Sequence, residues 1–234
     1  MNFDGSPPAT GADKKAPFDI DQVITLLREA VAPYPSATLF ALAEEGYNAL
    51  FEVLVSCILS IRTRDEEHII VARRFLSQTR TPEAVAALSV EEIVNRIDGT
   101  TYPEPKAAQI RQIDEYAVQH GGLPNSYEAL LDLPGVGPKC ANLSLGIAHG
   151  PAAAPHVGVD VHVHRVTNRW GYVQAKTPEK TMEKLDTILP TRYRLEINRL
   201  LVPFGKHICT GTLPRCSSCP VLPMCQQAGV DKHR

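Results

Sequence analysis

The sequence has no apolar run long enough to cross a membrane and no N-terminal segment with the charged and apolar layout of a signal peptide. Aromatic residues are few, 6% of 234, and no sustained alternation of apolar and polar side chains predicts β-strands. The formal net charge of −2 lacks the basic excess of many nucleic-acid-binding proteins, although the distribution of charge matters more than its sum. We therefore expect an intracellular, all-α protein that does not bind membranes.

Helix signals run along most of the chain. The apolar stretch 48–61 (NALFEVLVSCILSI) predicts a buried central helix. The Thr-Pro-Glu sequences at 81–83 and 177–179 and the Ser-Val-Glu-Glu sequence at 89–92 are typical helix starts. Together these patterns predict about ten helices with short connections, preceded by a disordered tail over residues 1–16.

The stretch 133–141, LPGVGPKCA, is a Gly-Pro-rich turn between two helical segments. A helix N-terminus carries unpaired N–H groups and a partial positive charge, so a turn of this kind can hold a phosphate through its backbone. Gly-x-Gly alone is a weak signal that also suits an ordinary turn between core helices. The apolar Leu133 and Val136 beside the two glycines strengthen it, and the stretch resembles the helix-hairpin-helix motif that holds DNA without reading its sequence.

Lys139, two residues beyond the second glycine, is a candidate nucleophile, although a lysine on a solvated face is the plainer interpretation. A neutral amine can attack an electrophilic sugar carbon and form a Schiff base, which requires a lowered pKa. Desolvation, the hairpin helix dipole or nearby positive charge would lower the pKa. The candidates for that charge are Arg62, Arg64 and Arg165.

Asp160, in the sequence Val-Asp-Val-His, is predicted to cap a helix that reaches about Trp170. Capping keeps a carboxylate rigid and ionised. In a cleft, such a carboxylate could stabilise positive charge on a deoxyribose ring or assist proton transfer. His162 and His164 do not share a helix face, which argues against a metal pair.

Four of the six cysteines form a quartet near the end of the sequence, with the spacing Cys209-x6-Cys216-x2-Cys219-x5-Cys225. The segment has too little apolar sequence to fold alone, so we expect a metal to organise it. Four thiolates suit a structural zinc or a [4Fe–4S] cluster, and the single close pair favours the cluster only modestly. Cys57 and Cys140 lie on apolar helical faces, where we expect small core residues and no disulfide.

These features, in this order, resemble the endonuclease III family of base-excision DNA glycosylases, within the helix-hairpin-helix superfamily. The resemblance covers most of the sequence, from about residue 19 to residue 226. Its specific parts are the cysteine quartet and the segments FEVLVSCILS (51–60), LPGVGPKCAN (133–142) and VGVDVHVHRVTNR (157–169).

The resemblance implies an all-α fold of two lobes with DNA bound in the cleft between them. One lobe is a six-helix bundle with the hairpin, at residues 43–153. The other is a [4Fe–4S] cluster lobe, made of residues 17–42 and 154–234. The resemblance therefore favours the cluster over zinc, with the quartet as its ligands.

The resemblance also implies a reaction on a damaged pyrimidine that is flipped out of the duplex. Lys139 matches the family's catalytic lysine, which attacks C1′, expels the base and permits β-elimination through a Schiff base. Asp160 matches the catalytic aspartate. The expected partner is double-stranded DNA with damaged bases or abasic sites, and the expected state is a cytoplasmic, nucleoid-associated monomer.

The residues that would hold the DNA open depart from the family pattern. Arg62 stands where the family usually has a glutamine that fills the gap left by the flipped base, and an arginine can bond to a guanine edge. Thr101 stands where a hydrophobic wedge usually precedes the tyrosine, here Tyr102. The residues predicted to contact DNA are Arg62, Thr101, Tyr102, Leu133, Gly135, Val136, Gly137 and His162.

Two alternatives stay open. Arg62 also suits a mismatch or altered-specificity glycosylase of the same superfamily. The chain could instead be a DNA-binding protein that has lost catalysis and keeps the hairpin and cluster as a scaffold, and the presence of both Lys139 and Asp160 argues against this.

Overall fold

The computed structural model describes residues 15–234, and this part of the chain has twelve α-helices, three short 3₁₀ turns and no β-strand. The prediction of an all-α fold is confirmed. None of these helices combines the length and apolar content needed to cross a membrane. In chain order they are α1 (Ile20–Val31), α2 (Thr38–Glu44), α3 (Leu50–Ser60), α4 (Asp65–Leu76), α5 (Pro82–Ala86), α6 (Val90–Arg96), α7 (Pro103–His120), α8 (Tyr127–Leu131), α9 (Pro138–His149), α10 (Val161–Trp170), α11 (Pro178–Ile188) and α12 (Glu196–His207).

Side-chain caps fix several helix starts by accepting hydrogen bonds from the free N–H groups of the first turn. Thr81 and Thr177 each accept one such bond, in front of a first-turn proline. Ser89 accepts from the N–H of Glu92, whose carboxylate accepts from the N–H of Ser89 in return. The helix starts predicted at these three positions are confirmed.

The first of two apolar cores is organised around α3. Residues Leu50 to Leu59, all but the last residue of the helix, are buried, which confirms the predicted central helix. This helix packs along α9, and side chains of α2, α4, α6 and α7 complete the core. The core therefore supports α9, the helix that follows the hairpin turn.

Cys57 on α3 and Cys140 on α9 form a disulfide inside this core, with 5.7 Å between their Cα atoms. The prediction of two separate core thiols is wrong. In the sequence, Cys57 and Cys140 each lie among apolar residues, as a core residue would. Helical periodicity does not show that two faces 83 residues apart in the chain will meet.

The second core joins α1 to α10, α11 and α12 and surrounds the buried Trp170. Residues from the N-terminal helix and the last third of the chain therefore pack together. The predicted lobe boundary differs from the packing of α2. Prediction places residues 17–42 with the cluster lobe, whereas Leu39, Phe40 and Leu42 belong to the first core.

The predicted disordered tail covers residues 1–16. Of these, residues 1–14 lie outside the described part of the chain. The last two residues of the tail are placed against the cysteine-rich segment. The ammonium of Lys15 donates to the carbonyl of Leu222 at 3.1 Å, and Ala16 N donates to the carbonyl of Pro223 at 2.8 Å. The tail prediction is therefore wrong for these two residues, because backbone partners more than 200 positions away hold them.

Asp114 on α7 is a buried carboxyl that makes no hydrogen bond to another described residue. Its nearest cation is Arg111, with 3.8 Å from Nη1 to Oδ2. Burial raises the pKa of Asp114 to about 6, and the Arg111 charge offsets this only in part. Because the folded-state pKa exceeds the unfolded value, the unfolded chain binds fewer protons, and stability falls as pH rises from about 4 to 6.

We predict that Asp114→Leu, which keeps the branching of the side chain and removes its charge, raises the free energy of unfolding at pH 7 by about 1–3 kcal/mol. It should also flatten the stability profile between about pH 4 and 6. Urea unfolding at several pH values measures both effects. The exposed Asp98→Leu is the control, and a less stable Asp114→Leu protein at pH 7 would contradict the prediction.

Candidate active site

A cleft of about 590 Å³ is lined by residues next to both apolar cores. Lys139, in the first turn of α9, lines it on the side of the first core, and Asp160, the N-cap of α10, lines it on the side of the second core. Two helix N-termini therefore border one cavity. The partial positive charge at each helix N-terminus favours an anionic ligand.

The turn before Lys139 joins α8 to α9 and has the geometry expected of a hairpin. Gly135 has a φ of 77°, in the left-handed region that favours glycine, and a Cβ there would displace the side chain of Gln109. The N–H groups of Gly135 and Gly137 make no hydrogen bond within residues 15–234. Pro138 then occupies the first helical position. The turn thus presents free backbone donors.

Lys139 is partly buried, and its Nζ donates to Oγ of Ser60 at 3.3 Å. Burial lowers the pKa of Lys139, while the charges of Asp160 and Asp65 raise it. The lowered pKa that a nucleophilic amine needs therefore comes from desolvation. The three arginines considered in the sequence are not among the charges that act on it.

Asp160 is held by two backbone donors. Its Oδ1 accepts from His162 N at 2.9 Å and from Val163 N at 2.8 Å, which confirms the predicted N-cap. The other oxygen, Oδ2, makes no hydrogen bond to a described residue. One carboxylate oxygen thus fixes the side chain, and the second is left for a ligand.

The residues predicted to contact DNA divide into three groups. Leu133 and Val136 have side chains buried in the first core, so only their backbone can reach a ligand. Side chains or backbone of four others line the cleft with Lys139 and Asp160: Arg62, Gly135, Gly137 and His162. The remaining pair, Thr101 and Tyr102, lies on the loop that is hydrogen-bonded to the turn of Arg62.

Sequence patterns missed a polar layer beneath the cleft. Asp65 lines the cleft and accepts from Nζ of Lys206, on α12, at 3.0 Å. His68 is buried against Oγ of Ser56 at 3.1 Å, and burial lowers its pKa to about 4, so it is neutral at pH 7. Nothing in the sequence indicated that Asp65 has a partner 141 residues away.

The four cysteines of the quartet line one small cavity, which Trp170 and Phe204 border on the side of the second core. Among the described residues, no three histidine, cysteine or acidic side chains are placed to hold a single metal ion. Four thiols that line one cavity fit a four-iron cluster, in which each thiolate binds a different iron. Arg169 and Gln227 N donate to the sulfurs of Cys209 and Cys225, at 3.5 and 3.3 Å. Such bonds are typical around protein-bound clusters.

Comparison with known proteins shows the superfamily to which the chain belongs. Residues 55–191 match the family model of the HhH-GPD superfamily of base excision DNA repair proteins. Endonuclease III of Thermotoga maritima is 39% identical over 171 residues, which cover 72% of this chain and 79% of that protein. Endonuclease III of Escherichia coli is 30% identical over 207 residues, covering 88% and 93%.

A solved structure of a trapped endonuclease III–DNA covalent intermediate has the same fold. It superposes with a TM-score of 0.74 at 27% identity, covering 90% of this chain and 97% of that one. Fold and cleft together define a helix-hairpin-helix DNA glycosylase of base excision repair. More particularly, this chain belongs to the endonuclease III family, whose members combine glycosylase and AP lyase activities. The family prediction is confirmed.

Proposed function

We propose that this chain removes oxidised pyrimidines from double-stranded DNA and then cuts the abasic strand by β-elimination, with Lys139 as the nucleophile. The observation that carries the proposal is the shared cleft. A lysine whose pKa is lowered by burial and a capping aspartate line one cavity with a turn that has free N–H groups. These are the parts that a Schiff-base reaction on a phosphodiester backbone needs.

In the proposed reaction, the hairpin turn holds the backbone and the damaged nucleotide rotates into the cleft, because C1′ cannot be reached inside the stack. The neutral amine of Lys139 attacks C1′, and the C1′–N bond breaks. The base leaves with the bonding pair and takes up a proton. Opening of the sugar ring gives the Schiff base, loss of a proton from C2′ then expels the 3′ phosphate, and water releases the lysine.

Asp160 contributes its negative charge to this reaction. Its carboxylate stabilises the positive charge that develops on the sugar as the base leaves, and it can accept protons from the attacking amine. The two backbone bonds to Oδ1 keep the group in place without using Oδ2. A rigid, preorganised charge of this kind needs no rearrangement during the reaction.

Borohydride trapping tests the proposal directly. The protein is incubated with duplexes that carry an abasic site, an oxidised pyrimidine or a mismatch, and borohydride is added to reduce any Schiff base to a stable bond. We expect an adduct on abasic DNA and base release from oxidised pyrimidines. Tight binding without adduct or base release would favour the catalytically silent DNA-binding protein instead.

Arg62 supports a second candidate, a mismatch or altered-specificity glycosylase. Its side chain is exposed and lines the cleft. A guanidinium can bond to O6 and N7 of guanine, which a glutamine does less well. Base release that is fastest from a mismatch, and strongest opposite guanine, would favour this candidate over oxidised-pyrimidine excision.

We also propose that Cys209, Cys216, Cys219 and Cys225 hold a [4Fe–4S] cluster. When bound, the cluster supplies the cross-links that fold residues 209–225, a segment poor in apolar side chains. The N–H···S bonds from Arg169 and Gln227 N and the cavity shared by the four thiols support this. A cytoplasmic location, near the nucleoid, and a monomeric state complete the proposal.

We predict that Cys216→Ser lowers the iron content of the purified protein, weakens its visible absorbance and lowers its thermal midpoint by several degrees. The thermal midpoint falls because metal-binding free energy contributes to folding in such segments. Iron analysis and circular dichroism measure the effects. Ser218→Ala, two residues away and exposed, is the control. Stoichiometric zinc in place of iron would contradict the cluster.

A further inference from the structure

Two short loops meet beside the cleft, and each contains a residue with an unusual backbone. The gap loop, residues 61–64, joins α3 to α4, and the tyrosine loop, residues 98–102, joins α6 to α7. Arg62 has a φ of 57° and Tyr102 a φ of 56°. Such left-handed conformations are costly for side chains other than glycine and persist only where the surroundings hold them.

Thr101 connects the two loops and is turned toward the protein. Its Oγ1 donates to the carbonyl of Arg62 at 2.8 Å, and its N–H donates to Oγ1 of Thr63 at 3.2 Å. Both hydrogen-bonding groups of Thr101 are therefore engaged with the gap loop. A side chain held in this way is not free to enter a base stack.

The buried Lys106 holds the gap loop from inside the protein. Its side chain is buried, and Nζ donates to Oγ1 of Thr63 and to the carbonyl of Leu59, both at 2.8 Å. The Leu59 carbonyl is at the C-terminal end of α3, where carbonyls lack helical partners and favour a cation. The buried ammonium thus ties the end of α3 to the gap loop, and Thr101 extends the tie to the tyrosine loop.

Tyr102, next to Thr101, has 57% of its surface exposed. We propose that Tyr102, and not Thr101, enters the duplex beside Arg62, and that Thr101, Thr63 and Lys106 are positioning residues that hold the two at a fixed spacing. The inference rests on the proposed function, since it concerns how the same cleft receives its DNA. It assigns an aromatic wedge to the residue that follows Thr101, the position where the family usually has its hydrophobic wedge.

The physical advantage of this arrangement is rigidity. Opening a base step requires unstacking, and an aromatic ring can replace the lost stacking with any base. The two left-handed backbone conformations and the shared hydrogen bonds fix the positions of the Tyr102 and Arg62 backbones before DNA binds. No ordering of the loops is then needed during binding.

Fluorescence of 2-aminopurine tests the wedge. The base is placed next to a reduced abasic-site analogue that the enzyme binds and cannot cleave, so that its fluorescence rises when the stack is opened. We expect Tyr102→Ala to weaken duplex binding at least about fivefold and to remove most of the rise, and Tyr102→Phe to keep it. A full fluorescence rise with Tyr102→Ala would overturn the proposal.

Two substitutions of Thr101 distinguish a positioning residue from a wedge residue. Thr101→Val is isosteric but loses the hydroxyl donor, and Thr101→Ser keeps it. As a positioning residue, Thr101→Val should reduce the fluorescence rise and Thr101→Ser should retain most of it. If Thr101 were itself the wedge, Thr101→Val would give a fluorescence rise equal to or larger than that of the unaltered protein. The inference would then be wrong.

Two further measurements keep the outcomes distinct. Circular dichroism shows whether each variant is folded, and the pair Thr101→Val and Thr101→Ser carries the test if Tyr102→Ala is not. The unaltered protein is trapped with borohydride on abasic DNA in parallel. An adduct together with unchanged fluorescence in all variants refutes the wedge alone, whereas no adduct refutes the proposed function.

Discussion

Lys139→Gln is expected to eliminate the borohydride adduct and to slow base release by on the order of 10³-fold or more. The amide keeps a polar side chain of similar length but cannot form a Schiff base. The partner groups around the cleft, Ser60 and Asp160, stay in place. Single-turnover assays on an oxidised-pyrimidine duplex measure base release, and gel analysis of borohydride-treated abasic DNA measures the adduct.

Stability distinguishes this loss from unfolding. Because burial lowers the pKa of Lys139, the unfolded chain binds a proton more tightly than the folded chain. The charged lysine therefore costs stability below its folded-state pKa, and stability is recovered as pH rises through that pKa toward 10.5. Lys139→Gln should thus be as stable as the unaltered protein at pH 7, or more so.

The exposed Lys184→Gln is the matched control for this substitution. It removes the same charge from the surface of α11 and should retain both adduct and base release. A trapped adduct at undiminished yield with Lys139→Gln would mean that another amine attacks C1′. In that case the buried Lys106, whose pKa burial and the Lys139 charge lower to about 8, is the next candidate.

The parts of the fold and site that could be predicted depend on short-range patterns. The caps at Ser89, Thr177 and Asp160 form within about four residues of the capping side chain, so the local sequence contains the whole interaction. The hairpin turn likewise depends on glycine and proline at fixed positions. The cysteine spacing is also a local pattern, and the metal segment that it indicates stays a prediction.

Contacts between distant elements could not be predicted. Lys139 and Ser60 are 79 residues apart, and Thr101 and Arg62 are 39 apart. The pairing of two side chains on separate helices depends on how those helices pack, and helical periodicity specifies only which face is apolar. The packing of Leu39, Phe40 and Leu42 in the first core has the same origin, since an apolar helix face in the sequence does not show which core it joins.

Asp160→Asn is expected to lower the rate of base release by on the order of 10²-fold while the fold is kept. Asparagine caps helices as well as aspartate, so the bonds from His162 N and Val163 N to the side-chain oxygen can persist. What is lost is the negative charge in the cleft. Because that charge raises the pKa of Lys139, its removal lowers the pKa further and leaves a larger fraction of the amine neutral.

The two consequences are separable in a pH profile. The acidic limb of base release, where Lys139 is protonated, should shift to lower pH in Asp160→Asn although the plateau rate falls. Asp19→Asn is the control, because Asp19 caps α1 through the same pair of bonds to Oδ1, from Asp21 N and Gln22 N, and does not line the cleft. A reduced plateau with an unshifted limb would show that Asp160 acts on the sugar without tuning the lysine. A shifted limb with an unchanged plateau would show the reverse, and the proposed stabilisation of the sugar would be wrong.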